Sequence, residues 1–252
     1  MNIYINKLIT ISIIGDHTMM IKEENFRKLY HKYIVIKADE FAHQVGQSIQ
    51  LDIAAESNPD KDIEEVFKSI RIPENVNAIL AIPYIDHEAG ISFLSMAMAV
   101  LDGENVEIIK RESFGSLSLI RKNDIRDMEF EYLENLNANK DFDPEHYEEC
   151  SRMLDTYSRD EAIEALRSIT DIDHLRNEDY PDDILVHFIK EDLQAEGMWV
   201  RYESITPEGM IEGKLLNTPF QDFGVKAGDD VKVFPYKSED MDELIIICDL
   251  NK

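Results

Sequence analysis

The sequence is poor in the residues that build disulfide frameworks, glycine-rich phosphate loops and membrane spans. Its two cysteines, Cys150 and Cys248, have no CxxC spacing, which excludes a disulfide scaffold and favours a reducing compartment. No apolar run approaches the roughly 20 residues that cross a bilayer. The chain also lacks G-x-x-x-x-G-K-[ST], G-x-G-x-x-G and G-x-S-x-G patterns, which mark phosphate loops or a nucleophilic serine. We therefore predict no cofactor and assign no catalytic residue.

Positive charge is also scarce. The 252 residues include 52 Asp and Glu against 26 Lys and Arg, a formal net charge of −26. Such a chain repels phosphate backbones and anionic lipid surfaces, so we predict that neither nucleic acid nor a membrane is a direct partner. Two interpretations of the acidity are open: it maintains solubility, or it matches a basic protein partner.

The N-terminal residues have an ambiguous pattern. Lys7 followed by the apolar residues 8–15 resembles the start of a signal peptide, but the stretch is short and Asp16-His17 provides no small-residue cleavage site. We therefore predict a cytoplasmic protein. Met19 and Met20 open a better-patterned segment, so residues 1–18 are either an added strand or the product of an upstream start codon.

Residues 21–122 have the pattern of an α+β domain. Helical spacing is clearest in the second of two predicted helices, where Ile63, Val66, Phe67 and Ile70 share one face. The predicted helices are residues 23–31 and 58–70, and the predicted strands are residues 33–37, 48–55, 77–85, 91–101, 106–110 and, at an edge, 114–120. We expect an antiparallel sheet with covering helices.

Residues 123–183 form a predicted acidic helical connection. Asp143-Pro144 starts a helix that runs to about Thr156, and Ser158 or Asp160 caps a second helix. Between residues 140 and 196 there are 18 Asp and Glu against 6 Lys and Arg. This charge is either a solvated linker or a docking face for a basic partner. The proposed docking residues are Glu145, Glu148, Glu149, Asp160, Glu161 and Glu164.

Residues 184–252 are predicted to be a small β module. Pro207-Glu208-Gly209 reverses the chain between two strands, and the proline at 219 ends the second of them. The predicted strands are residues 184–189, 198–205, 210–216, 231–234 and 244–248. Five short strands of this kind suit a compact antiparallel sheet or a small open barrel.

Three motifs run in order through this module: Glu196-Gly197-Met198-Trp199-Val200, then residues 213–219, then Lys226-Ala227-Gly228-Asp229-Asp230-Val231. Over residues 184–241 they resemble the YegJ-like family, an uncharacterised bacterial domain. The family pattern ends in Asp-Trp, where this chain has Asp240-Met241. The resemblance implies a bacterial source and a fold, and brings no established activity. The motif positions are Glu196, Met198, Trp199, Gly213, Asn217, Pro219, Gly228 and Asp229.

Three of these motif residues have individual predictions. Trp199 is more typical of a core or sheet-face aromatic than of a ligand platform. Glu196 has two open readings: it accepts backbone amides at a sheet edge, or it lines a shallow binding site. Asn217 most simply stabilises its own turn through a side-chain hydrogen bond.

Enzymatic signals are weak elsewhere. Asp86-His87-Glu88 and the Asp171, Asp173, His174 group carry metal-capable atoms, but they lack ligand spacing, so we predict no metal site. The leading hypothesis is a non-enzymatic protein-binding module, and one concrete form is an immunity-type protein that masks a basic toxin or nuclease. The alternative is an enzyme or small-ligand protein whose pocket lies between the two β-rich regions and uses Glu196, His187 or His87.

Overall fold

The structure is a computed structural model that describes residues 19–30, 32–38, 74–109, 119–139, 145, 154, 161–237 and 243–251. Strands dominate it, with a few short helices. The strands form one open sheet and one closed five-stranded barrel. The predicted α+β class is therefore confirmed, and the two β-rich regions of the sequence correspond to two separate sheets.

The first sheet draws on residues from both sides of position 122. Its spatial order is β1-β7-β2-β3-β4-β5-β8, with β6 paired to β4. The strands are β1 (Met19–Met20), β2 (Ile34–Lys37), β3 (Ala78–Asp86), β4 (Gly90–Asp102), β5 (Asn105–Ile108), β6 (Leu119–Arg121), β7 (Glu129–Tyr132) and β8 (Asn137–Ala138). Strands β7 and β8 extend this sheet into the range predicted as the helical connection.

The helices of the described residues are short. They are α1 (Phe26–Leu29), α2 (Lys122–Ile125) and α3 (Glu161–Ser168), with 3-10 turns at Ile21–Glu23, Leu133–Asn135 and Asp173–Leu175. The helix predicted at residues 23–31 is a single turn, capped by the Asn25 side chain. The predicted elements at 48–55 and 58–70, and nearly all of 143–156, lie outside the described residues. No helix in the described ranges is long and apolar enough to span a membrane.

Strands β3 and β4 form the centre of the first sheet. Both are nearly buried throughout, because residues on one face pack into one apolar cluster and residues on the other face into a second. This is why the sequence of β3 is a continuous apolar run without alternation. Pro83 is tolerated inside β3 because β2 pairs with β3 only as far as Ala81, so Pro83 has a partner strand on one side only.

The barrel closes in the order β10-β11-β12-β13-β9. Its strands are β9 (Asp183–Ile189), β10 (Glu196–Ile205), β11 (Ile211–Leu215), β12 (Asp230–Tyr236) and β13 (Ile245–Asp249). Successive strands are antiparallel, whereas β13 and β9 pair in parallel. The expectation of an all-antiparallel sheet or open barrel was wrong in this respect. An up-and-down meander with an odd number of strands brings its first and last strands together in the same direction, so closure requires one parallel pair.

The barrel interior is filled by alternate side chains of its strands. Val186 and Phe188 of β9 face Met198, Val200 and Tyr202 of β10, all of them buried. Cys248 also lies in this core, and burial, followed by the charge of Asp249, raises the pKa of its thiol to about 11. The thiol is therefore protonated at neutral pH, which agrees with its prediction as a small apolar core residue.

Residues 177–183 join the first sheet to the barrel. The Ile91 amide donates to the Asp179 carbonyl at 2.8 Å, and the Tyr202 amide donates to the Asp182 carbonyl at 3.1 Å. Lys122 of α2, whose side chain is almost fully buried, pairs with Asp179 at 2.8 Å. The segment thus contacts the β3–β4 hairpin, α2 and β10 within a few residues.

Candidate partner-binding surface and the junction network

The proposed docking residues of the acidic helix have different surroundings. Glu161 lies exposed in the first turn of α3, and Glu145 is also exposed. Glu164 instead accepts the Tyr30 hydroxyl at 2.6 Å and the Arg167 guanidinium at 2.7 Å. The remaining three lie outside the described residues: Glu148, Glu149 and Asp160. Of the six, Glu145 and Glu161 are thus the exposed residues within the described ranges.

A buried polar network lies where α3, the barrel and the first sheet meet. Arg167 of α3 donates to both carboxylate oxygens of Asp182, at 2.9 and 2.6 Å. The Tyr202 hydroxyl donates to the same carboxylate at 2.6 Å, and His87 Nδ1 lies 3.2 Å from it. Burial alone would raise the pKa of Asp182, but hydrogen bonds from His87 and Arg167, with the Arg167 charge, lower it to about 2. Asp182 is therefore a carboxylate that is fully paired inside the protein.

The tyrosines of this network are neutral donors. Burial, followed by the charge of Asp182, raises the pKa of Tyr202 well above its ordinary value. Burial and the hydrogen bond to Glu164 do the same for Tyr30. Both hydroxyls therefore stay protonated across the physiological range, and the buried charges of the network are those of Arg167 and Asp182.

Two further arginines close the C-terminal end of α3. Arg176 donates to the Leu166 carbonyl at 2.6 Å, and Arg27 donates to the Arg167 carbonyl at 2.8 Å. Both also bind Asp173. Burial favours a higher pKa for Asp173, but the hydrogen bonds from both arginines outweigh it and lower the pKa. The carbonyls that a helix leaves unpaired are thus satisfied by side chains from other elements.

A cavity of about 220 Å³ lies beside these groups. Its lining includes Lys22, Phe26, Arg27, Lys122 and Arg176, together with carboxylates. The four cations all have carboxylate partners within the chain, and Arg27 and Arg176 also lie over the Phe26 ring. The charges that line the cavity therefore neutralise one another.

The residues predicted to share an inter-sheet pocket are separated. His87 contacts Asp182, immediately before β9. His187 and Glu196 are neighbours instead, because Gly197 lies opposite His187 in the β9–β10 register. His187 lies five positions after Asp182, which corresponds to about 17 Å along a strand. The described structure does not bring His87 and Glu196 together in one site.

The metal-capable groups of the sequence have other partners. Asp86 pairs with Arg121 at 2.9 Å, and His174 Nε2 lies 2.9 Å from the Leu244 carbonyl. Within the described ranges, no group of three or more His, Cys, Asp or Glu is placed to hold a metal ion.

The motif residues converge on the loop that follows β11. Glu196 accepts the backbone amides of Phe220 at 2.8 Å and of Gln221 at 3.4 Å, so its first predicted role is the one observed. Asn217 Oδ1 accepts the Trp199 amide at 2.8 Å. The prediction that Asn217 bonds within its own turn was therefore wrong, since its side chain bonds β10. The reason is that Leu216 continues the pairing with β10 for one residue beyond β11.

Other motif positions fix the strands and the turn behind this loop. Met198 is buried in the barrel core, whereas Trp199 is a partly exposed sheet-face residue, as its alternation predicts. Gly213 in β11 lies against the Arg201 carbonyl, where a Cβ atom would come within 2.3 Å. Pro219 lies in the loop and is partly exposed.

The last motif is a tight turn before β12. Gly228 has φ +91°, in the left-handed region that favours glycine. Its amide donates to the Leu215 carbonyl at 2.7 Å, and the Asp229 side chain accepts the Lys226 amide at 2.9 Å. The turn therefore closes on the end of β11, and the three motifs together fix one end of the barrel.

This end of the barrel presents an aromatic residue that motif reasoning missed. Phe220 is fully exposed, whereas Phe223 of the same loop is buried against Phe188, with ring centroids 6.3 Å apart. The available signal was the spacing of two phenylalanines in a loop of polar residues. The sequence does not say which of the two faces the core.

The surroundings of Phe220 are acidic. Gln194 and Gln221 exchange two hydrogen bonds, which join the β9–β10 turn to the Phe220 loop. That turn carries the exposed Glu191 and Asp192, and the loop carries the exposed Asp222.

Comparison of the chain with family models, curated proteins and solved structures finds no match. The resemblance to the YegJ-like family is therefore a prediction that rests on the three motifs.

Proposed function

We propose that this chain is a non-enzymatic module that binds a basic protein partner through exposed carboxylates. The observation that carries the proposal is the distribution of charge. Most Lys and Arg side chains in the described ranges pair with carboxylates of the same chain, such as Arg167 with Asp182 and Arg201 with Asp183. Because acidic residues outnumber basic ones two to one, internal pairing leaves a surplus of carboxylates.

Many of these surplus carboxylates are exposed. They include Glu161, Asp171, Glu178, Glu191, Asp192, Glu203, Glu208 and Asp222. The negative electrostatic potential of these carboxylates attracts a basic protein and accelerates its association, and it repels nucleic acid and anionic lipid. Masking of a basic toxin or nuclease surface is one concrete form of this function. The proposal also states that the protein is bacterial, cytoplasmic and a member of the YegJ-like family, and these three points rest on the sequence alone.

The proposal is tested by affinity capture with the full chain in cells of its source, at low and moderate salt, followed by titration of the purified captured protein. We expect a basic partner whose affinity falls as salt rises, because exposed charge pairs are screened. Reversing Glu145 and Glu161 to Lys should weaken binding by about tenfold, or about 1.4 kcal/mol. Glu164 is kept, since its replacement would remove its bonds to Tyr30 and Arg167.

The control is the double variant Glu203→Lys, Glu208→Lys, which makes the same charge change on the β10–β11 hairpin. This control distinguishes a loss of affinity caused by changing a specific docking face from a loss caused by the change in net charge. An affinity and a salt dependence that are the same for wild type and for the Glu145, Glu161 variant would overturn the assignment to this helical face. Absence of any basic partner at either salt concentration would overturn the function itself.

The cavity beside α1, α2 and residues 173–178 favours a second candidate function, binding of a small ligand. Its volume of about 220 Å³ accepts only a small molecule. A thermal-shift screen with metal ions and charged metabolites tests it, with Arg176→Met as the matched variant. A shift that is lost in the variant would support a ligand site. No shift with any compound would count against it.

A further inference from the structure

Phe220 differs from the other large apolar side chains of the described residues in being completely accessible. The next most exposed aromatic residue, Tyr236, is 45% exposed. Burying a phenylalanine side chain stabilises a fold by removing its apolar surface from water, so leaving one fully in water forgoes that stabilisation. Leu216, at the start of the same loop, is also exposed. The apolar surface at this end of the barrel thus centres on one side chain.

The loop that carries Phe220 is fixed at several points. Glu196 binds the amides of Phe220 and Gln221, and Gln221 is bonded to Gln194 in both directions. Thr218 Oγ1, two residues before Phe220, accepts the Ala227 amide from the other end of the loop at 3.2 Å. Such a loop loses little conformational entropy when a partner binds, which is the advantage of a preorganised contact.

Phe223 explains why the loop holds Phe220 outward. Phe223 is buried in the barrel core against Phe188, and Lys190 Nζ donates to the carbonyls of Asp222 and Phe223 at 3.2 Å each. Phe223 and Lys190, the residue after β9, thus hold this part of the loop against the core, and Phe220 three residues earlier is exposed. The exposure of Phe220 is therefore a consequence of fixed loop geometry.

The charge around Phe220 selects the kind of partner. Glu191, Asp192 and Asp222 are exposed at this end together with one cation of the loop, Lys226, whereas the nearby Lys190 directs its ammonium group to backbone carbonyls. Carboxylates therefore outnumber cations around Phe220. A second copy of the chain would bring two such acidic rims together, at a net charge of −26 each, and nucleic acid and anionic lipid are repelled in the same way. A basic protein surface is complementary.

We propose that Phe220 is the apolar anchor of a docking surface, and that it enters an apolar pocket bordered by basic residues on a partner protein. This inference rests on the proposed function and adds the surface to it. Buried aromatic anchors surrounded by charged residues commonly dominate protein interfaces. The carboxylates attract and orient the partner, and Phe220 supplies contact that salt does not weaken.

Site-specific cross-linking tests the surface in the full chain. Phe220 is replaced by the photoreactive p-benzoylphenylalanine, which preserves an aromatic side chain at an exposed position. The matched control carries the same probe at Tyr236, an exposed aromatic at the far end of β12 and so at the opposite end of the barrel. We expect position 220, and not position 236, to cross-link to apolar residues of one basic protein.

The cross-linked protein is then purified and titrated with wild type, Phe220→Ala and Phe220→Leu. We expect about 30-fold weaker binding for Phe220→Ala, the level of an interface hot spot, and a smaller loss for Phe220→Leu. The dependence of affinity on salt should be the same in all three, because no charge is changed. Phe220→Ala should keep the wild-type melting temperature, since Phe220 contacts solvent rather than the core.

The outcomes separate the surface from the function. A basic partner with salt-dependent affinity that Phe220→Ala weakens less than threefold overturns the anchor and leaves the proposed function standing. Equal cross-linking at 220 and 236, no cross-link at 220, or a cross-link to a second copy of the chain also overturns the anchor. If no basic protein binds the chain at all, both proposals fail together.

Discussion

Arg167 and Asp182 form a buried bidentate ion pair, with Nε–Oδ1 at 2.9 Å and Nη2–Oδ2 at 2.6 Å and both side chains only 2% exposed. The same guanidinium donates to the Ile85 carbonyl of β3 at 3.3 Å. Because Arg167 belongs to α3 and Asp182 immediately precedes β9, one side chain connects the helix, the barrel and the first sheet. The relative placement of these elements depends on this contact.

Removing one partner of this pair should destabilise the protein strongly. In Asp182→Ala the buried Arg167 guanidinium loses its bidentate partner and keeps only the partly exposed Glu164, and breaking a buried pair costs about 3–5 kcal/mol. Urea unfolding gives the free energy directly. The control is Asp127→Ala, which removes a fully exposed partner of Lys22 and should leave the transition unchanged. Equal midpoints for the two variants would contradict the assigned role of the pair.

The same carboxylate predicts how stability depends on acid. The pKa of Asp182 is lowered from its ordinary 3.8 to about 2 in the folded protein. A lowered folded-state pKa contributes stability that is fully present above the ordinary value and is lost as the pH falls through the folded value. Wild type should therefore lose stability between about pH 4 and pH 2.

The comparison variant for this acid dependence is Asp182→Asn, which cannot titrate. Its free energy of unfolding should fall less steeply over the same pH range. Asp86 and Asp173 also have lowered pKa values, so wild type and variant share a background slope and the difference between them reports Asp182. Identical slopes would show that Asp182 is not paired as described.

The barrel was the most predictable part of the fold, because its signals are local. Alternation around Trp199 and the turn residues 207–209 predict β10 and β11, and the structure has them at Glu196–Ile205 and Ile211–Leu215. Closure was not predictable in the same way. The parallel pairing of Ile247 with His187 joins the two ends of the module, and no local pattern encodes which distant strands meet.

The parts that prediction missed depend on distant contacts. Glu129-Phe130-Glu131-Tyr132 alternates like a strand, but it lies within residues 123–183, which were predicted as the acidic helical connection. It becomes β7 because Phe130 pairs opposite Ile36 of β2 and is fully buried. Asp182 was counted only as part of the acidic surplus. Its burial requires Arg167, Tyr202 and His87 to converge, and spacing along the chain does not show this.

Gly90 should be intolerant of substitution for two separable reasons. It has φ +75°, and a Cβ atom there would lie 2.2 Å from the Asp179 carbonyl oxygen. Gly209 has a similar φ of +83° with nothing within 4 Å. Gly209→Ala should therefore cost only the backbone strain, about 1 kcal/mol. Gly90→Ala should cost at least about 2 kcal/mol more, because the Ile91–Asp179 hydrogen bond must also be displaced.

Thermal and urea unfolding of the two alanine variants measure this difference. Their difference isolates the contact between the β3–β4 hairpin and residues 177–183, since the conformational cost is common to both. Equal destabilisation would mean that the hairpin does not pack against Asp179.

Glu196 should control the order of the Phe220 loop. In Glu196→Ala the amides of Phe220 and Gln221 lose their acceptor, and we expect their hydrogen exchange to accelerate by about tenfold, which corresponds to about 1.4 kcal/mol. Glu196→Gln keeps one carbonyl oxygen and should accelerate exchange less. Glu203→Ala, which removes an exposed carboxylate of the same strand, is the control. Unchanged exchange at both amides would exclude a structural role for Glu196.

The two phenylalanines of this loop should respond oppositely to truncation. Phe223 is buried against Phe188, so Phe223→Ala removes core contacts and should cost about 3–5 kcal/mol. Phe220 is fully exposed, so Phe220→Ala should change stability by less than about 0.5 kcal/mol. Urea unfolding of the two variants compares the same substitution three positions apart. Similar losses of stability in the two variants would place Phe220 in the core and remove the basis for its docking role. A Phe220→Ala variant that is stable but binds the partner more weakly would assign Phe220 to recognition and Phe223 to the fold.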